Sequence, residues 1–296
     1  MWETYPHSRI SCINLNSTPK HVMVEMSEQH RRFKCQQNIT HTGQTVIDCL
    51  ASLTDLSRQQ LKQCLQKGAV RLRHGRKVRR VRRATLALQP GQQIELHYDS
   101  VILAQATPAI QPVADKVRYT VWDKPAGILA QGTEWGDHCS LLRIAELVTK
   151  RPVFLVHRLD KEASGLMIIA HDHHAAGQLS HLFQQREMFK QYRAVLSGQM
   201  TANEQHFAEP LDGREANTTI QRCHYDAESN QSHVTVTIGS GRKHQIRRHC
   251  AAAGLPLIGD SIYGQPHSGG LQLRATVLHF PCPLTKQQQH FELNDK

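Results

Sequence analysis

A carboxylate set between cations is the first place where this chain could do chemistry. In Val156-His157-Arg158-Leu159-Asp160-Lys161, Asp160 has a guanidinium two residues before it and an ammonium directly after. Val153-Phe154-Leu155-Val156 precedes it and Gly165-Leu166-Met167-Ile168-Ile169-Ala170 follows; both read as buried strands. His157 to Ser164 is then a loop held at both ends by core strands, the setting in which sites tend to be built. A carboxylate that acts as nucleophile must stay ionised although partly desolvated, and a nearby guanidinium achieves that by lowering its pKa. An ordinary surface salt bridge would carry the same residues, and local sequence alone leaves the two readings even.

Two other constellations carry less. His171-Asp172-His173-His174 suggests metal, but adjacent residues do not converge on one ion as an i, i+4 pair does, so a solvated turn is favoured and no metal is expected. The eight cysteines contain no CxxC pair, which predicts reduced, mostly buried thiols.

The elements around these residues follow from composition and period. At 296 residues the chain has room for a large domain and a small one, and its formal net charge of +11 attracts polyanions. No apolar run approaches the roughly 20 residues that cross a bilayer, and the first twenty residues carry no signal-peptide core. A cytoplasmic chain with no membrane partner is the expectation.

Residues 1 to 37 show no sustained period and are expected to form a poorly ordered extension, with at most one stray edge strand. Over 38 to 100 a small module is predicted. Val46, Ile47, Leu50 and Leu53 fall at helical spacing; Ser57 caps a second helix with Leu61 and Leu65 on one face; Gly68 ends it; short strands follow. Residues 101 to 116 read as a linker and 117 to 296 as the larger domain. Arg71, Arg73, Arg76, Lys77, Arg79, Arg80, Arg82 and Arg83 lie in one short stretch without an acid. Because that stretch sits on a turn and its flanking strands, phosphate contact is favoured over a merely solvated face. It would supply affinity rather than sequence choice.

Ser57-Arg58, Lys67-Gly68-Ala69-Val70 and Pro90-Gly91-Gln92-Gln93-Ile94, in that order, resemble the alpha-L RNA-binding motif of a small-subunit ribosomal protein and of RNA-modifying enzymes. His74-Gly75 stands where that pattern usually has Asn-Gly. In the larger domain, Val156-His157-Arg158-Leu159-Asp160 with Ser164-Gly165-Leu166 resembles the signature loop of the RluA-type pseudouridine synthases. Lys124-Pro125-Ala126-Gly127, Lys190-Gln191-Tyr192, the run Gly241 to His249, and Gly254 to Asp260 with Tyr263-Gly264 are similar to the other motifs of that family, in the family's order. Ala163 replaces a usual Thr, and Arg274 a usual His; the added charge at Arg274 would suit a phosphate contact.

The resemblance implies an α+β fold: a mixed, mainly antiparallel sheet with flanking helices and a central cleft, preceded by the small alpha-L domain. It implies isomerisation of uridine to pseudouridine in structured RNA, without cofactor. Asp160 would be the catalytic carboxylate, attacking ribose or base, with Arg247 paired to it and Tyr192 against the uracil. On a helix beginning near Arg242, Lys243 and Arg247 would share one face, with Ile246 and Ala253 packing beneath. Arg158 would enter the space left by a flipped-out base, and His157, Lys190, Arg242, His244 and Gln245 would line the RNA path. The partner is structured RNA, ribosomal RNA favoured and transfer RNA the alternative, bound by a monomer with no obligate protein partner. Competing classes are a non-catalytic RNA-binding or ribosome-assembly factor, which predicts loss of Asp160, Tyr192 or Arg247, and a nucleoside hydrolase, which needs a second catalytic acid.

Overall fold

Thr45 and Ser57 start the first two helices by the same device. The Thr45 hydroxyl accepts the Asp48 backbone N–H, and Ser57 exchanges bonds with Gln60: Ser57 N–H donates to Gln60 Oε1 at 2.9 Å, and Gln60 N–H to Ser57 Oγ at 3.2 Å. Such caps contribute about 1 kcal/mol each. Each helix then buries one stripe: Val46, Cys49 and Leu50 on the first, Leu61, Cys64 and Leu65 on the second.

The computed structural model describes residues 23–27 and 30–294, with side chains from His30 onward. They fall into two units. The first runs to Ala104 and includes Glu134–Gly136. Its elements are β1 (Met23–Ser27), β2 (His30–Asn38), α1 (Val46–Leu53), α2 (Arg58–Gln66), β3 (Val70–His74), β4 (Lys77–Arg80), β5 (Gln92–Asp99) and α3 (Ser100–Ala104). The strands form one antiparallel sheet in the order β1-β2-β5-β3-β4. Leu50, Leu61, Leu65, Val70, Ile94 and Leu96 form its dry core. Burying each such side chain contributes roughly 1.5–3 kcal/mol.

The expected tail over 1–37 therefore gives way at its end. β2 pairs with β5 from Arg32 to Asn38, and Phe33 and Cys35 enter the core. The alternation of Phe33 and Cys35 with charged neighbours was the signal. Residues 1–22 lie outside the described residues.

The second unit takes in Gln105–Thr133 and Asp137 onward. It contains β6 (Pro112–Asp115), β7 (Tyr119–Lys124), α4 (Leu141–Thr149), β8 (Phe154–Leu155), β9 (Ser164–Ala170), α5 (His173–Gln185) and β10 (Phe189–Ser197). After these come β11 (Glu204–Phe207), β12 (Thr218–Asp226), β13 (Gln231–Ile238), α6 (Gln245–Ala252), β14 (Leu273–Pro281) and β15 (Gln288–Glu292). The main sheet runs β11-β12-β13-β10-β14-β9-β7-β6, with β15 on β14 and β8 on β9. Among the described strands of this unit only β14 and β9 pair in parallel; the other strand pairs are antiparallel.

The parallel seam depends on a glycine. Gly165 has φ +114, and a Cβ there would stand 2.1 Å from the Ala275 carbonyl oxygen, so no side chain fits. The strand β6 lies inside what the sequence reads as linker, because Pro112–Asp115 closes the sheet edge against β7. The predicted buried strand over 153–156 shrinks to the two-residue β8, whose side chains are half-buried.

The histidine run is not a solvated turn. Asp172 caps α5 by accepting the Ala175 N–H at 2.7 Å and pairs with Arg118 through both oxygens. His171 is buried, bonded to Thr120 Oγ1 and the Pro152 carbonyl. An N-capping Asp and a buried His satisfy backbone and hydroxyl groups that would otherwise be left unpaired.

Candidate active site

Asp160 sits on the loop joining β8 to β9, three-quarters covered, beside the start of α6. The loop is held from below by Lys124, which is fully buried and donates to the carbonyls of Pro125 and Ile128 at 3.0 Å and of Lys161 at 3.2 Å. Burial pushes its ammonium down to about 8, against the pull of Glu162, Asp160 and Asp123. The Gly127 N–H also donates to the Lys161 carbonyl, at 2.8 Å. The residue after Asp160 is thus fixed by two donors, one from the last residue of β7 and one from the turn that follows it.

Arg247, on α6, is the second group. Its Nε and Nη2 donate to Asp260 at 2.8 and 2.7 Å, and its Nη1 reaches Asp160 Oδ2 at 3.5 Å. Both Arg247 and Asp260 are buried. Burial alone would raise the Asp260 carboxyl; the Arg247 bonds and the Tyr263 and Ile262 N–H groups outweigh it and hold the carboxyl below its ordinary range. Glu162 Oε2 lies 3.8 Å from the same Nη1, and the Tyr263 ring packs 5.5 Å from the guanidinium.

His244 is the N-cap of α6 in the left-handed region, φ +53, with no side-chain capping bond. Such a backbone costs of order 1–3 kcal/mol and persists only where its surroundings fix it. Here its imidazole meets Tyr263 Oη at 3.1 Å and stands 3.8 Å from Asp160 Oδ1. The helix therefore starts at Gln245, not near Arg242. Lys243 lies before it and is exposed, so Lys243 and Arg247 share no helix face, and Ala253 is exposed as well. The left-handed turn at His244 is what breaks the expected register.

Tyr192 is the third group. On β10 the residues Lys190, Tyr192, Ala194 and Leu196 are buried in alternation. Tyr192 lines one cavity of about 80 Å³ together with Asp160, Arg158, Arg242, His244 and Arg247. Burial, with the Asp160 charge added, pushes its phenol above the ordinary tyrosine range, so near neutral pH it is a hydroxyl and not a phenolate.

A second cavity of about 410 Å³ shares Arg158, Tyr192, Ile238, Gly241 and Arg242 with the first and adds Lys190, Arg186 and Phe183. Lys190 Nζ donates to the Ser240 carbonyl at 3.3 Å, and burial, reinforced by Arg186, lowers its ammonium to about 8. Arg158 is exposed and borders both spaces. Arg242 borders them too, its Nε tied to the Glu215 carbonyl at 3.0 Å.

Two residues expected to line the RNA path, His157 and Gln245, each border one of these cavities and also hold backbone in place. His157 Nε2 accepts the Ile168 N–H at 3.0 Å and its ring stacks on Phe183 at 4.3 Å. Burial, with Lys190 nearby, lowers it to about 3, and only a neutral imidazole can accept that bond. Gln245 is buried: its oxygen accepts from Ser240 Oγ and the Arg242 N–H, and its nitrogen donates to Asn217 O and Thr218 Oγ1. Both brace the backbone around the cavity.

In the first unit the hairpin of β3 and β4 presents Arg76, Lys77 and Arg79 as exposed side chains at and beyond its turn. Arg71 is half-covered, Arg73 pairs with Glu95 at 3.3 Å, and Arg80 donates to the Gly68 carbonyl. Arg274, where the family usually has His, donates to Asp123 Oδ2 at 2.7 Å.

Asp260 and Lys124 lie within the motif runs, and local sequence assigns neither of them a role. An acid closing the apolar run Leu255-Pro256-Leu257-Ile258 was the available signal for Asp260, since a buried carboxylate demands a cationic partner. Among the described residues no cluster of His, Cys, Asp or Glu could hold a metal ion.

A buried Arg–Asp pair supporting a carboxylate that is one-quarter exposed, a neutral tyrosine opposite and a cationic annex define an enzyme site for an anionic substrate. Residues 118–252 match the RNA pseudouridylate synthase family. An uncharacterized RNA pseudouridine synthase of Chloroflexus aurantiacus is 32% identical, the match covering 81% of each chain. Ribosomal large subunit pseudouridine synthase D of Yersinia pestis is 27% identical over 75% of this chain and 73% of its own. The tRNA pseudouridine synthase C of Haemophilus ducreyi is 28% identical over 56% of this chain and 83% of its own. The fold is that of human RNA Pseudouridylate Synthase Domain Containing 1, with TM-score 0.56 and 20% identity over 64% of this chain and 85% of the other. The chain belongs to the RNA pseudouridine synthase family. Within it, this is an enzyme of the RluA type.

Proposed function

We propose that this synthase isomerises a uridine of ribosomal RNA, with Asp160 as the catalytic carboxylate. The observation that carries the proposal is the single cavity in which Asp160, Tyr192 and Arg247 meet. The reaction breaks the bond from uracil N1 to the ribose, turns the base and joins its carbon five to the same ribose carbon. Carbon five gives up its proton and N1, freed from the ribose, takes one up, so composition does not change. Asp160 attacks the ribose or the base, and Arg247, locked by Asp260, sets the position of its carboxylate. Tyr192 lies against the uracil as a neutral hydroxyl, able to donate or accept a hydrogen bond. Arg158 borders the site where it can fill the gap left by the flipped base.

The adjoining cavity, with Lys190, Arg186, Arg242 and Arg158, supports a phosphate-bearing substrate longer than one nucleoside. The exposed hairpin cations of the first unit support a grip on folded RNA, the ground for preferring ribosomal RNA. Transfer RNA is the second reading, favoured by the relative from Haemophilus ducreyi.

Tritium release from RNA labelled at uracil carbon five tests both. Release from ribosomal and not transfer RNA of a strain lacking the gene is the expected result. Release from transfer RNA alone would move the target, and release persisting in Asp160→Asn would remove Asp160 from its role.

A further inference from the structure

One contact does not fix a carboxylate. The last torsion of an aspartate joins a tetrahedral carbon to a planar one and is broad, so a group held at one oxygen can still swing the other. Arg247 reaches Oδ2 of Asp160, at 3.5 Å. Oδ1 meets a different side chain, His244, whose Nε2 stands 3.8 Å away. That is ion-pair distance rather than a hydrogen bond, and such contacts often tighten only when the substrate is in place.

His244 is itself held from behind. Its Nδ1 lies 3.1 Å from Tyr263 Oη. Nε2 faces a carboxylate, which only accepts, so the ring hydrogen belongs on Nε2 and Nδ1 accepts from the Tyr263 hydroxyl. Tyr263 sits on a turn closed by the Gly264 N–H on the Asp260 carbonyl at 2.9 Å, and its own N–H donates to Asp260 Oδ1 at 3.1 Å. The buried Asp260 thus carries two arms. One runs through the Arg247 guanidinium to Oδ2 of Asp160, the other through Tyr263 and His244 to Oδ1. The His244 backbone is left-handed and its side chain makes no capping bond. Asn suits a left-handed position and an N-cap better than His does, so the fold alone gives no reason for an imidazole there.

We propose that His244 is a positioning residue for the isomerisation: with Tyr263 behind it, it fixes the plane of the Asp160 carboxylate and so aims one oxygen at the substrate. The proposal rests on the reading that Asp160 is the catalytic carboxylate. His244 then acts through Asp160 and not by gripping RNA. A misaimed carboxylate binds substrate as before and reacts more slowly, so the effect falls on kcat and not on KM.

The two ring nitrogens can be tested apart. A Gln side chain carries its amide nitrogen about where Nε2 stands, and an Asn side chain about where Nδ1 stands. The assay is tritium release by the full chain from deproteinised RNA of a strain lacking the gene, labelled at uracil carbon five, with kcat and KM separated. His244→Asn suits the left-handed cap but falls short of Asp160. It is expected to lower kcat by about ten- to a hundred-fold at unchanged KM, the loss of one hydrogen bond to a charged group. His244→Gln, the poorer residue for the cap, is expected to turn over several-fold faster than His244→Asn. Tyr263→Phe removes the hydroxyl and leaves the cap untouched, so it reads the same arm without disturbing the backbone. It is expected to lower kcat in the wild type and to cost nothing further in His244→Ala.

A wild-type rate in His244→Asn beside a slow His244→Gln would make His244 a backbone cap alone and overturn the proposal. A raised KM at unchanged kcat would make it an RNA contact and do the same. So would an equal loss from Tyr263→Phe with and without His244. Wild-type release by Asp160→Asn removes the carboxylate reading and this inference with it. Loss of release in Asp160→Asn beside a full rate in His244→Asn overturns this inference alone and leaves Asp160 in its role.

Discussion

Asp260 takes two of the three nitrogens of Arg247, at 2.8 and 2.7 Å, and leaves the third to reach Asp160 at 3.5 Å. The two short bonds fix the guanidinium, and the long one reaches the Asp160 carboxylate. A guanidinium held this way cannot turn to follow Asp160; it sets one position from which the carboxylate is approached.

Removing the anchor should therefore damage stability and turnover together. Breaking a buried pair by deleting one partner costs about 3–5 kcal/mol. Asp260→Ala is expected to lower stability by that amount and to abolish tritium release, while Arg247→Lys, which keeps the charge and loses the fork, should fold better than it turns over. Denaturant unfolding beside the release assay checks both. Full activity in Asp260→Ala would show that the anchor is unnecessary.

Lys190 predicts a pH dependence of stability. Its ammonium falls from 10.5 to about 8 in the folded chain, so between those values the unfolded state holds a proton that the folded state has lost. Raising pH through that window favours folding, and below about pH 8 the whole penalty, about 3 kcal/mol, is present. Lys190→Met should gain most on the wild type at pH 7 and lose that advantage by pH 10. Unfolding curves at the two pH values measure the difference, and an unchanged gap would place the cost elsewhere.

Tyr192 titrates too high to limit the working range, because burial and then Asp160 raise its phenol. Tyr192→Phe is expected to lower the rate of tritium release by about two to four orders of magnitude, a loss typical of a group assisting proton transfer. The shape of the pH profile on its alkaline side should not change. An alkaline limb that vanishes in the variant would mean that the phenol ionises during turnover.

Gly165 has no room for even one carbon. Gly165→Ala puts a methyl group against the Ala275 carbonyl at a backbone angle that L residues avoid. A loss of at least about 1–3 kcal/mol follows from the backbone alone. Thermal melting followed by circular dichroism reads it, and a melting point equal to wild type would require the seam to open without cost.

The exposed cations of the β3–β4 hairpin should act through salt-dependent affinity. Replacing Arg76, Lys77 and Arg79 together by Ala is expected to reduce the slope of log affinity against log salt by about two to three. Filter binding across a salt series measures it. An unchanged slope would mean that these side chains meet no phosphate.

The periodic parts of the molecule were readable in advance because one residue's burial decides them. Ser57 and Gln60 announce a capping box, Leu61 and Leu65 a helix face, and the apolar run from Gly165 to Ala170 a core strand. What the sequence hid depends on partners far along the chain. His157 reads as a loop residue until Ile168 and Phe183 close on it, and Gln245 reads as polar surface until Ser240, Asn217 and Thr218 use up its amide. The start of α6 was misplaced because His244 takes a left-handed backbone for which local propensity gives no warning.

The one parallel seam joins residues more than a hundred positions apart. Arg274 and Ala275 must return to lie beside Ser164 and Gly165 before the Asp160 loop is backed by a continuous sheet. Ordering so distant a pairing is slow and comes late in folding. On the ribosome, a chain stalled before β14 would already carry Asp160, Tyr192 and Arg247 yet have no seam to hold them. Activity should therefore switch on only once β14 has been made and has docked beside β9.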